Sequence, residues 1–137
     1  MSGPEWLDQL AEDATLEGSL LDGVVHGSSA VKELVGAMYA LFSRLQHKYA
    51  GPYGENGYLE DHVAEVRGHA LGCVVIVTRN AAGQTQRVVA NLRPRPVVLM
   101  LAQLLREQLK GASFVDKLVQ PRPDESSPGA TKNKSLH

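Results

Sequence analysis

Between His69 and Leu109 an apolar strand, a turn, a second strand, a double-proline stop and an apolar helix follow one another without a gap. Ala70–Thr78 is nearly all apolar and β-branched, as a central sheet strand must be. Asn80-Ala81-Ala82-Gly83 closes a hairpin, with Gly83 suited to positive φ, and Gln86–Arg93 returns as the last strand. Pro94 stops that strand, and Pro96 opens a helix from Val97 to about Lys110. Leucine, valine and methionine surround most of that helix, so it needs cover on several sides. We expect it to cover the mouth of a cone or to lie in a dimer interface.

The first half of the chain supplies the rest of the frame. Pro4 opens a short helix, about two turns, with Trp6, Leu7, Leu10 and Ala11 on one stripe. Ala14–Leu21 and Val24-Val25-His26 read as strands around an Asp22-Gly23 turn. Ser28 or Ser29 caps a long helix, where Val31, Leu34, Val35, Met38, Leu41, Phe42 and Leu45 recur at helical spacing. Gln46–Tyr53 is a strand interrupted by glycine and proline, so it belongs at an edge or carries a bulge. Tyr58–Val66 is a further strand.

The chain has 137 residues, enough for one domain that needs no disulfide or metal staple. Net charge is −1, and the arginines are spread out without aromatic neighbours. Nucleic acid is therefore not an expected partner. Cys73 is the only cysteine and lies in an apolar run, so it reads as a buried, inert thiol. The longest apolar run, Val97–Ala102, is far short of the ~20 residues of a membrane span. Glu5, Asp8, Glu12 and Asp13 stand where a secretory leader would be basic and apolar, so the expected location is the cytoplasm. The histidines lack ligand spacing, so no metal is expected, and without a dinucleotide or phosphate fingerprint no cofactor is. Residues 112–137 read as a C-terminal extension beyond a domain of residues 1–111, flexible from about residue 120, where the chain is polar and proline-rich.

Residues 10–35 (LAEDATLEGSLLDGVVHGSSAVKELV) and 71–96 (LGCVVIVTRNAAGQTQRVVANLRPRP) resemble the nuclear transport factor 2-like superfamily, in particular its SnoaL-like polyketide-cyclase branch. The resemblance runs from about Glu5 to Leu109 and rests on the order and spacing of elements. It implies an α+β, cystatin-like fold: a curved antiparallel sheet forming a cone-shaped half-barrel packed on helices. It also implies a pocket for an apolar, polyketide-like or steroid-like ligand, and a homodimer. Such proteins usually begin with a long helix across the cone mouth, and here only three residues precede Pro4. Relatives often carry an acidic residue in the penultimate strand, where this chain has Val75.

Enzymes of that superfamily use a carboxylate or histidine as base inside an apolar cone, with donors for a developing oxyanion. Low dielectric strengthens each such contact and shifts pKa values toward working pH. In the Tyr58–Val66 strand, Tyr58, Glu60, His62 and Ala64 share one face, and Leu59, Asp61, Val63 and Glu65 share the other. Regular pairing lets only one of His62 and Asp61 face the cone. His62 is the preferred base because its ordinary pKa is near neutral. Asp61 is the alternative; the competing reading of Asp61, and likewise of Glu60, is a carboxylate on a solvated strand face. Tyr49, Tyr53, Asn91, His26 and Glu17 are the expected ligand contacts, His26 at the end of the hairpin before the long helix and Glu17 at the cone mouth. Three functions follow: a small-molecule-binding cone, an isomerase, cyclase or hydrolase working by acid–base catalysis, and an interaction module.

Overall fold

The computed structural model describes residues 3–125. The chain opens with a 3-10 helix at Glu5–Gln9, then β1 (Leu10–Gly18), β2 (Val25–His26) and α1 (Ser28–Leu41). Four strands follow: β3 (Ser43–Pro52), β4 (Gly57–Val66), β5 (His69–Arg79) and β6 (Thr85–Arg93). α2 (Arg95–Gln108) and a 3-10 turn at Val115–Lys117 complete the order. The sheet runs β2-β1-β6-β5-β4-β3. The fold is α+β, a curved open sheet packed on helices, as the resemblance implies.

The sheet is mixed and not wholly antiparallel. β3 to β6 form an antiparallel meander, but β1 lies parallel to β6. The reason is the route of the chain. α1 carries it from the β1–β2 side to the far edge, and the meander then works back until β6 meets β1. Parallel neighbours need such a long connection. At the crossing β1 comes so close to β6 that a Cβ on Gly18 would stand 1.8 Å from the Ala90 carbonyl oxygen.

Alternation along β4 to β6 sets the two faces. Glu60, His62, Ala64 and Val66 of β4, Cys73, Val75 and Val77 of β5, and Val88, Ala90 and Leu92 of β6 point inward and are buried. Val31, Leu34, Val35 and Met38 of α1 meet them in one core.

Several expected boundaries move. The apolar stripe of α1 was expected to run to Leu45, but the helix ends at Leu41 and Phe42 is extended. Arg44 takes φ 54° and bulges the start of β3, so Leu45 points inward from a strand. The opening helix is a 3-10 turn followed directly by β1. The β1–β2 connection is not a tight Asp22-Gly23 turn. Asp22 N–H donates to the Lys117 carbonyl at 2.7 Å, and Val119 N–H donates to Leu20 at 2.9 Å. Phe114, Leu118 and Val119 are buried, so the segment after α2 packs along this loop. The expected flexible residues from 126 onward lie outside the described residues.

α2 buries Val97 through Ala102 and Leu105 against α1, β5 and β6. It follows Arg93, which pairs with Gly72 at the start of β5. No helix among the described residues is long and apolar enough to cross a membrane.

Candidate functional site

A cavity of about 390 Å³ opens at the other end of the strands from α2, lined by Gly3–Trp6, Tyr39, Leu45, His47, Ala50, Tyr58, Glu60 and Arg79. The expectation that α2 covers the mouth is therefore corrected. The residues beside the mouth are the N-terminal turn, whose place is fixed by Thr85: its fully buried hydroxyl donates to the Trp6 carbonyl at 3.0 Å.

Glu60 is the buried polar centre of this cavity, 5 % exposed. Trp6 Nε1 donates to its Oε1 at 3.4 Å, and the Tyr58 hydroxyl donates to its Oε2 at 3.4 Å. His47 Nε2 stands 3.7 Å from Oε2, forming an ion pair only when protonated. Burial raises the Tyr58 hydroxyl pKa, and the Glu60 carboxylate beside it raises it further. Tyr39 is pushed up strongly by burial, with Glu60 adding to it. Both phenols therefore stay protonated and able to donate. At the rim, the Arg79 guanidinium carbon stands 5.6 Å from the Tyr58 ring centroid.

His62 faces inward and is fully buried, so the alternation question is settled in its favour over Asp61. His62 does not line the cavity. It lies behind Tyr39, its Nε2 3.4 Å from the Tyr39 hydroxyl, packed among Tyr39, Phe42 and His47. Its Nδ1 is buried without a hydrogen-bond partner. Burial lowers its pKa, with Glu60 pulling the other way. Burial pushes the Cys73 thiol up to about 12, as an inert thiol requires.

The remaining expected site residues lie elsewhere. Asp61 points to the outer sheet face, in one row with Val74 and Asn91 across β4, β5 and β6. Asn91 is exposed there. Tyr49 pairs with Asp61 and is 50 % exposed; Tyr53, just past β3, is 53 % exposed. His26 is exposed at the end of β2, and Glu17 pairs with Arg87 at 3.2 Å away from the cavity. None of these lines the cavity. The bulge between His47 and Tyr49 explains the tyrosines: it puts His47 opposite His62 and turns Tyr49 outward. Glu60, Trp6, Tyr39 and Tyr58 were not among the expected site residues. One signal pointed to Glu60 and Tyr58, since they share the parity of His62.

No protein-family model matches the chain, and no curated protein matches it. Solved structures do. One is an uncharacterised bacterial protein with a cystatin-like fold from Silicibacter pomeroyi, with TM-score 0.71 and 19% identity over 82% of this chain and 79% of that one. A second is a steroid delta-isomerase from Pseudomonas aeruginosa, with TM-score 0.69 and 13% identity over 75% and 76%. A third is a protein with a ketosteroid isomerase-like fold from Catenulispora acidiphila in complex with trimethylamine, with TM-score 0.52 and 12% identity over 69% and 77%. The fold is NTF2-like. At these identities the likeness speaks for architecture alone.

Proposed function

We propose that this NTF2-like chain is a small-molecule-binding protein whose cavity holds its ligand through Glu60. The observation that carries this reading is a carboxylate almost wholly buried at a cavity whose apolar and aromatic wall is formed by Trp6, Tyr39, Leu45, Ala50 and Tyr58, with Glu5, His47 and Arg79 as its other polar side chains. Cavities that bind small molecules combine apolar walls with a few placed polar groups, and about 300–1,000 Å³ is their usual size. The volume here is near the small end. A compact ligand with an apolar body fits, with one polar group meeting Glu60. Among similar folds, one protein is a steroid isomerase and another is seen with trimethylamine, so related architectures take small organic molecules.

Catalysis is the second reading, and Glu60 favours it over the other candidates. A buried carboxylate beside two phenols has the parts of a general base with hydroxyl donors. His62 touches no cavity surface and would act only through Tyr39.

Native mass spectrometry tests the binding reading. Protein isolated without denaturation, or offered a panel of small fragments, should show noncovalent adducts. Glu60→Gln and Trp6→Ala should lower their occupancy. Adducts of unchanged occupancy in both variants would place binding elsewhere.

A further inference from the structure

We propose that the ligand is an organic cation, an alkylammonium group seated against Glu60 between Trp6, Tyr39 and Tyr58. This rests on reading the cavity as a binding site and names the chemistry that would fill it.

The charge on Glu60 is poorly matched by the protein. Charged carboxylates usually keep donors at about 2.7–2.9 Å. Here the indole and phenol donors stand at 3.4 Å and the His47 nitrogen at 3.7 Å. No arginine or lysine forms an ion pair with Glu60 among the described residues. A buried carboxylate whose neighbours are two long neutral donors and one titratable histidine gains most from a partner that brings a permanent positive charge. Of the other charged residues lining the cavity, Glu5 and Arg79 are opposite in sign, which leaves the Glu60 charge to be balanced by a protonated His47 or by a ligand.

The walls suit the same ligand. Aromatic rings attract cations through their quadrupole, and tryptophan and tyrosine do so best. Trp6 and Tyr39 are buried, so a cation between them would be largely desolvated, where that attraction is strongest. Tyr58 already has a guanidinium above its ring. An anionic ligand would meet Glu60 directly and be repelled. A neutral ligand of the same shape would keep the apolar contacts and lose the electrostatic ones.

Isothermal titration of the full chain with three probes separates these cases: choline, its neutral carbon isostere 3,3-dimethyl-1-butanol, and the anion 3,3-dimethylbutanoate. Choline should bind at least about tenfold more tightly than the neutral isostere, and the anion should bind most weakly. Glu60→Gln, confirmed folded by its melting curve, should bring the choline and isostere affinities within about twofold of each other. The comparison in the unmodified protein stands even if the variant fails to fold. Equal binding of choline and the isostere overturns the cation inference and leaves the cavity reading intact. Failure of choline to bind while neutral fragments still occupy the cavity overturns it too. If no probe or fragment binds, both readings fall.

Discussion

Glu60 shapes the protonation of its neighbours: its charge helps hold Tyr58 and Tyr39 as phenols and helps keep Cys73 a thiol. His62 behaves differently, because burial is the main influence on it and lowers its pKa from 6.5. Below that value the unfolded chain takes up a proton that the folded chain resists. Stability should therefore fall as pH drops through 6.5 toward the lower folded value. Urea midpoints at about pH 7.5 and 5.5 should separate in the natural protein and lie closer together in His62→Phe. The same separation in both proteins would show that His62 is not the source. At this scale the sequence was half legible. The parity of β4 bound Tyr58, Glu60 and His62 to one face, but it could not say that the face was interior at Glu60. Trp6 and Tyr39 come from an N-terminal turn and a helix remote in sequence, so no local pattern tied them to Glu60. Tyr49 misled because one bulge reverses the side on which a strand residue lies.

α2 is the element that closes the core, and its cost can be measured. Leu101 and Leu105 are fully buried, so Leu101→Ala should lose about 2–5 kcal/mol in chemical denaturation followed by Trp6 fluorescence. A loss below about 1 kcal/mol would mean that the helix is not packed as described. Gly18→Ala should cost on the order of 2–3 kcal/mol by the same measurement, since its φ is 144° and β6 leaves no room for a Cβ. The segment after α2 is clasped by Glu125, whose carboxylate accepts from Arg95 at 2.6 and 3.1 Å. Those bonds, with the Arg122 backbone N–H, pull its pKa down to about 2. The clasp therefore contributes fully above 4.5 and is lost as pH falls toward 2. Glu125→Gln should speed proteolysis near Leu118–Val119 at neutral pH, and unchanged cleavage would contradict this. The elements themselves were legible, because the strand–turn–strand–proline–helix order from His69 onward needs only local signals. The parallel β1–β6 contact and the packing of Val119 on Leu20 were not, because both depend on where the chain returns.

At the scale of the molecule two surfaces matter, the cavity and the outer sheet face. On the outer face Leu59, Ile76 and Val89 form one half-buried row across β4, β5 and β6. Asp61 Oδ1 is buried in the neighbouring row without a partner. The homodimer that the resemblance implies would bring two copies of this face together. Light scattering at tens of micromolar should give twice the monomer mass, and Ile76→Lys should halve it; a monomer mass for the natural protein would rule the contact out. The cavity is tested most directly through Trp6, the only tryptophan in the chain and part of the cavity wall. Its single indole N–H resonance in a proton–nitrogen spectrum reports on that wall alone. Small-molecule binders, choline first, should shift that resonance saturably, with a weaker response in Glu60→Gln. Binders that move backbone resonances of the outer face while the Trp6 indole signal stays fixed would contradict the account.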